Sequence, residues 1–146
     1  MQEVFINTLR SRRAQISARW DALLRIEKVN TPLANPDTLV YLFDRTLDEV
    51  FAALREPLVP GAPVPPVVAA EKNPLYAYFV AGEQAVLEEL ILAQAGARDL
   101  APKERDADFA HLRAVMQRIA RRDLSSLDGL CKPKKPPVTA GPAGAR

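Results

Sequence analysis

Three observations predict an all-α fold for this 146-residue chain, arranged as an up-and-down four-helix bundle. Apolar residues recur at spacings of three, four and seven along four stretches, which is the period of an amphipathic helix. Prolines fall at the boundaries of these stretches rather than inside them. The length and the 48% apolar content suit a single domain with its own core. A globin-like helical fold is the alternative, because the length suits it equally well.

The first predicted helix covers residues 2–28. Its apolar face consists of Phe5, Leu9, Ile16, Trp20, Leu23 and Leu24. Arg12 and Arg13 interrupt this face between Leu9 and Ile16, and Arg13 falls within the apolar stripe itself.

The second predicted helix covers residues 36–56, because Asn35-Pro36-Asp37 combines a capping residue, a proline at the first position and an early acid. Its stripe is Leu39, Phe43, Leu47, Val50 and Leu54. Residues 57–72 contain five prolines and cannot continue a helix. Two uses are open for them: a stiff crossover along the bundle, or a ligand for an aromatic groove of another protein.

The third predicted helix, from Asn73 to Ala95, is the most apolar stretch of the chain and should be the buried centre of the fold. Asn73-Pro74 starts it and Gly96 ends it. Glu83 falls among apolar positions of this helix, between Phe79 and Leu87 on the helical wheel. It either extends to water beside a groove or makes a buried polar contact.

The fourth predicted helix opens at Leu100-Ala101-Pro102 and reaches about Asp123. Its stripe is Phe109, Leu112, Met116 and Ile119. The helical domain is expected to cover residues 1–128, and residues 129–146 to form a disordered, basic, proline-rich tail.

A polar contact in the core is predicted between Arg13 and Glu83, direct or through a ligand. Each lies about nine or ten residues into its helix, and an up-and-down bundle would place the first and third helices parallel. A pocket at this layer should have Trp20, Phe43 and Phe79 as its walls.

Metal and catalytic motifs are weak. Asp108 and His111 have the i, i+3 spacing of ligands to one metal ion, but a di-iron bundle needs that motif twice and His111 is the single histidine. A haem bound by His111, or an ordinary boundary histidine, are the other interpretations. The lone Cys131 excludes an intramolecular disulfide. The sequence therefore predicts no cofactor and no enzymatic activity.

Net charge and hydropathy limit the kinds of partner that the chain can have. The net charge of +2 creates no strong field for nucleic acid, and the four basic residues of the tail would give weak, salt-sensitive attachment at most. No run of 18 apolar residues predicts a membrane span. The N-terminus lacks the apolar core of a signal peptide, so a cytoplasmic location is expected.

The first 55 residues or so carry a family resemblance. Ile16-Ser17-Ala18-Arg19-Trp20, followed by Asn35-Pro36 and an amphipathic helix, resembles the N-terminal helical domain of RsbR-type co-antagonists of bacterial stress signalling. The resemblance implies a sensor or protein-interaction module without catalytic residues, with a protein partner or a second copy of itself bound. The alternative from the residues alone is a small-ligand or metal-binding bundle with a polar site in its core.

Overall fold

The computed structural model describes residues 1–26, 36–57 and 75–131, with the backbone alone at residues 36 and 127–131. These residues form helices and no strand, which confirms the predicted all-α class for the described part. The helices are α1 (Glu3–Ser11), α2 (Arg13–Ile26), α3 (Pro36–Leu39), a 3-10 turn (Val40–Leu42), α4 (Phe43–Leu54), α5 (Tyr76–Ala95) and α6 (Pro102–Cys131).

The predicted first helix is divided into two at Arg12. Its backbone has φ −101° and ψ 18°, outside the regular helix, and its amide donates to the carbonyls of Thr8 and Leu9 at 3.1 Å each. Buried side chains hold α1 and α2 on either side of the break: Phe5, Ile6 and Leu9, then Ile16, Trp20 and Leu24. The interruption of the apolar stripe at Arg12 and Arg13 thus marks a real change of backbone.

The second predicted helix is confirmed over most of its length but tightens at Val40–Leu42 into a 3-10 turn. All five residues of its predicted stripe are buried: Leu39, Phe43, Leu47, Val50 and Leu54. Residues 58–72 of the predicted proline-rich crossover lie outside the described residues. So do the start of the third helix at Asn73-Pro74 and the capping residue Asn35.

Helix α5 is the central element of the described part, because its contacts with α1, α2 and α6 are more extensive than those of any other helix. It ends at Ala95, and Gly96 follows with φ −80°, an ordinary right-handed conformation rather than the left-handed one for which glycine is usually needed. The prediction that this stretch organises the fold is therefore supported by its contacts.

Side-chain pairs give the helix directions. Trp20, late in the first pair of helices, donates to Tyr78 at the start of α5, whereas Arg12 pairs with Glu89 near its end. Helices α2 and α5 are thus antiparallel, and the prediction that the first and third helices run parallel is wrong.

Helix α4 runs in the same direction as α5. Arg25 at the end of α2 pairs with Asp37 at 2.8 Å, and Glu3 at the start of α1 pairs with Arg55 after α4 at 3.1 Å. Since α2 is antiparallel to both α4 and α5, the described helices do not alternate as an up-and-down bundle would.

Helix α6 is longer than predicted. It continues through Cys131, past the expected helix end near Asp123 and three residues into the predicted tail. Leu112, Met116 and Ile119 of its predicted stripe are buried, and Phe109 is half-buried. Residues 132–146, the rest of the predicted tail, lie outside the described part.

Candidate functional site

The predicted contact between Arg13 and Glu83 does not form. The Arg13 guanidinium instead lies against Asp44, at 3.2 Å from its Oδ1, and against Asp48, and it stands 5.6 Å over the ring of Phe51. These partners belong to α4, so Arg13 connects α2 to α4. The prediction failed because the two helices are antiparallel. Residues that are equally far from the N-terminal ends of two antiparallel helices lie at different heights in the fold.

Glu83 is half-buried in a groove between α5 and α6. Its side chain is 27% exposed and its Oε1 lies 3.6 Å from Nε of Arg113, whose side chain is 61% exposed. Burial raises the pKa of Glu83, and the positive charge of Arg113 offsets only part of that effect. Of the two interpretations of Glu83, the structure supports the first, in which the side chain lies beside a groove and extends to water.

Trp20 and Phe43 belong to the core rather than to a pocket wall. Their rings stack at 4.6 Å, Tyr78 packs 4.7 Å from Trp20, and the indole N–H donates to the Tyr78 carbonyl at 2.8 Å. Gly82 faces the same indole, and a Cβ there would lie 2.4 Å from a ring carbon. The aromatic layer is therefore closed, and the prediction that Trp20 and Phe43 line a pocket is wrong.

The groove that holds Glu83 has a volume of about 210 Å³. Its lining consists of Tyr76, Phe79, Val80, Glu83, Met116, Gln117, Ala120 and Leu124. Phe79 and Glu83 are thus the two predicted ligand-site residues that share one surface. The lining is apolar apart from Glu83, Gln117 and the Tyr76 hydroxyl, so it suits mainly apolar side chains better than a charged ligand.

A second pocket of about 260 Å³ opens between α4, α5 and α6. It is lined by Leu42, Arg45, Thr46, Glu49, Leu75, Tyr78, Phe79, Asp123 and Ser126. Several of its polar groups already have partners: the Thr46 and Tyr78 hydroxyls share a 2.7 Å hydrogen bond, and Glu49 pairs at 2.7 Å with Arg122, which lies beside the pocket. Burial raises the pKa of Tyr78, so the phenol stays protonated.

The outward side of α5 carries an apolar surface that sequence reasoning assigned to the core. Val80 and Ile91 are 48% and 53% exposed, and Tyr76 and Leu87 are half-buried. We call this surface the outer α5 face; it consists of Tyr76, Val80, Glu83, Gln84, Leu87 and Ile91. Steps of 100° per residue place all six within an arc of about 100°. The sequence did contain a signal for this surface. Because the helix is apolar on every side and its neighbours can cover only part of it, some apolar surface should remain exposed.

The weak metal candidates Asp108 and His111 are both buried and already have partners. The amide of Gln94 donates to Asp108 Oδ2 at 2.9 Å, and the Met1 amine lies 3.4 Å from Nδ1 of His111. Burial raises the pKa of Asp108 and lowers that of His111. Within the described ranges, no three His, Cys, Asp or Glu side chains cluster as a metal site would require.

Glu89 is the buried acid that sequence reasoning missed. It is buried on the inner side of α5 and pairs with Arg12. This pair is a different one from the predicted Arg13–Glu83 contact, since Arg13 and Glu83 each have other partners. A wheel centred on the opposite side of α5 would have selected Glu89.

Known protein families, curated proteins and solved structures contain no match to this chain in the three comparisons made. The resemblance to RsbR-type helical domains therefore stays a prediction. Within the described part of the chain, none of the helices has the combination of length and hydropathy that crossing a membrane requires.

Proposed function

We propose that this chain is a non-enzymatic helical module of bacterial signalling, and that the outer α5 face is the surface with which it binds a protein partner. The observation that carries the proposal is the exposure of Val80 and Ile91 on the most apolar helix of the chain. Apolar side chains grouped on one exposed helix face are typical of protein interaction sites.

The border of the outer α5 face fits an interaction surface. On one side Arg19 of α2 binds Glu88 through hydrogen bonds of 2.7 and 3.1 Å, and on the other side Arg113 faces Glu83. A polar, solvent-accessible rim is usual around such surfaces, and in this face Glu83 and Gln84 add a polar turn between the two apolar ends. The sensor or interaction role implied by the RsbR-type resemblance also favours a protein interaction surface.

The proposed architecture is a four-helix bundle whose second and third helices are joined by a proline-rich crossover. The antiparallel pairs α2–α5 and α2–α4 support it, since they put Pro57 and Leu75, the described residues on either side of residues 58–74, at opposite ends of the fold. A stiff segment of 17 residues in polyproline conformation would span about 53 Å, more than such a fold requires.

A small-ligand function is the second candidate, and the pockets of the described part are the observation in its favour. The two beside α5, of about 210 and 260 Å³, lie below the roughly 300 Å³ at which pockets for drug-sized ligands begin, and the charged groups beside the 260 Å³ pocket already pair with one another. A third pocket of about 370 Å³, near Phe5 and Leu100, exceeds that volume, but its lining is mostly polar, unlike the largely apolar sites that bind small molecules. A protein partner therefore has the better support.

A photo-reactive amino acid at Val80 tests the interaction function in the cells that make the protein. The matched control carries the same photo-reactive residue at Arg118, which is exposed on α6. We expect irradiation to yield an adduct of one defined mass from position 80 and none from position 118. Equal labelling at both positions, or no adduct at position 80, would contradict the proposal.

A further inference from the structure

We infer that the partner of the outer α5 face is a second copy of this chain, with the two α5 helices antiparallel and the two-fold axis between Glu83 and Gln84. The inference rests on the proposed interaction function and identifies its partner. Three properties of the face carry it: the spacing of its apolar residues, the sizes of the residues brought together, and its charge.

The apolar positions of the outer α5 face are symmetric along the helix. Tyr76 and Ile91 have the same midpoint as Val80 and Leu87, and that midpoint lies between Glu83 and Gln84. In an antiparallel pair about this point, Tyr76 meets the partner's Ile91 and Val80 meets the partner's Leu87. Such a surface is complementary to itself, which is the requirement for a two-fold interface.

Side-chain size favours the antiparallel pair over a parallel one. Antiparallel pairing puts a large residue against a smaller one in every apolar layer, so the two helices stay at an even distance. Parallel pairing would set Tyr76 on Tyr76 and Val80 on Val80, which gives one wide layer and one narrow layer. Antiparallel helices also oppose their dipoles favourably.

Charge complementarity supports the same arrangement. A two-fold axis across the face keeps the α6 sides of both molecules together, so two Glu83–Arg113 pairs meet at the centre. The Arg113 side chain is 61% exposed, and its Nε lies 3.6 Å from Oε1 of Glu83 in the same molecule, longer than a hydrogen bond. Its guanidinium can therefore also contact the partner's Glu83. Each half-buried carboxylate thereby gains a second guanidinium without any net charge in the interface.

Disulfide crosslinking of single-cysteine variants of the full chain tests the register. In a Cys131→Ser background, Gln84→Cys should crosslink under oxidation, because the two copies of position 84 lie about 1.5 Å apart along the axis. Ile91→Cys should not, since its two copies are about 22 Å apart, beyond disulfide reach. Tyr76→Cys combined with Ile91→Cys should crosslink although neither single variant does. Crosslinking of Ile91→Cys alone, or none at any position, would overturn the inference.

Native mass spectrometry of two lysine variants gives an independent measurement. Ile91→Lys should raise the dimer dissociation constant at least tenfold and shift the mass from twice 16.1 kDa to 16.1 kDa. Leu92→Lys is the matched control, because Leu92 is similarly exposed at 56% but lies outside the outer α5 face. Equal loss of dimer in both variants, or a monomeric parent protein, would overturn the inference.

The photo-crosslinking result separates the two proposals. An adduct from position 80 with twice the mass of the chain supports both. An adduct of another defined mass overturns the second copy as partner and leaves the interaction function standing, whereas the absence of an adduct removes both.

Discussion

The two sides of α5 are equally apolar in sequence but have different environments. On the inner side, Gly82 and Tyr78 meet the indole of Trp20, and Val86 and Leu90 are fully buried. On the outer side, Val80 and Ile91 are about half exposed. The inner side is packed against α2 with almost no free space, whereas Tyr76 and Leu87 of the outer side are only partly covered by the described residues.

Because of this difference, substitutions on the two sides of α5 should affect different properties of the protein. Substitutions on the inner side act on a close-packed interior, in which one added carbon atom is felt. Substitutions on the outer side are expected to leave the fold intact and, under the proposed function, to alter what the helix binds. The four predictions below sharpen this contrast, in order of decreasing effect.

The largest effect is expected from Gly82→Ala. The added Cβ would lie 2.4 Å from an indole carbon of Trp20, a ring confined by Phe43 and Tyr78. Overpacking of about 3 kcal/mol outweighs the roughly 1 kcal/mol that alanine gains in helix propensity, so unfolding free energy should fall by about 2 kcal/mol. Urea denaturation measures it.

Gly96→Ala is the control for that experiment. Its Cβ would have Ala93 O at 3.9 Å as its nearest neighbour, which is ordinary contact. The variant should be neutral or slightly stabilised. Equal destabilisation by both substitutions would show that the close approach of Gly82 to Trp20 has no energetic importance.

The next effect is expected from Arg12→Met, which leaves the buried carboxylate of Glu89 without its arginine. Loss of a partner from a buried pair costs about 3 kcal/mol, but Arg12 is partly exposed and solvent screens the pair, so about 1.5 kcal/mol is expected. Thermal and urea unfolding measure the loss.

The single variant Glu89→Gln and the double variant Arg12→Met/Glu89→Gln complete the cycle, and the double variant removes the stranded charge together with its partner. It should recover at least half of the stability lost in Arg12→Met. If the two substitutions were simply additive, the pair would have no coupling and this account of Glu89 would fail.

A pH dependence is expected from His111. Burial lowers its pKa below the ordinary value of 6.5, helped by the nearby Met1 amine, so the folded protein prefers the neutral imidazole. The unfolded chain binds the proton first as pH falls, and stability is therefore lost from about pH 6.5 downward through the folded pKa. Urea midpoints across this range should decrease.

His111→Gln should flatten that part of the profile, whatever its effect on absolute stability. Asp108 contributes with the opposite sign at lower pH, since burial raises its pKa and acid then favours the folded state. An unchanged slope in His111→Gln would assign the pH dependence to other groups.

The smallest effect is expected from Val80→Ala on the outer α5 face. It should change the unfolding free energy by less than about 0.5 kcal/mol, whereas the same substitution at the buried Val86 should cost more than about 1 kcal/mol. Unfolding is measured at low protein concentration, because association would add a concentration-dependent contribution. Similar losses in the two variants would show that the outer α5 face is also part of the core.

Much of the helical framework was predictable because local chemistry specifies it. Proline and its neighbours mark the starts at Pro36 and Pro102, and the spacing of Leu39, Phe43 and Leu47 identifies a buried face in advance. The tightening at Val40–Leu42 was not predictable from that spacing, because apolar periodicity does not report which hydrogen bonds the backbone makes.

The candidate site was predicted only in part. Phe79 and Glu83 do share a groove, but Arg13 lies against α4, and Trp20 and Phe43 are enclosed. The pairing failed because helix order along the chain does not determine direction in space. Parallel and antiparallel arrangements of α2 and α5 are both compatible with the same stripes.

The sequence by itself determined that this protein is helical, where its apolar stripes lie and that α5 is its most apolar helix, since these depend on residues close together in the chain. Only the tertiary structure decided which side of α5 is covered. When a helix is apolar on every side, its sequence pattern does not indicate which side packs against other helices. Glu89 is therefore buried and paired with Arg12, whereas Glu83 lies beside an open groove, although both are glutamates of the same helix.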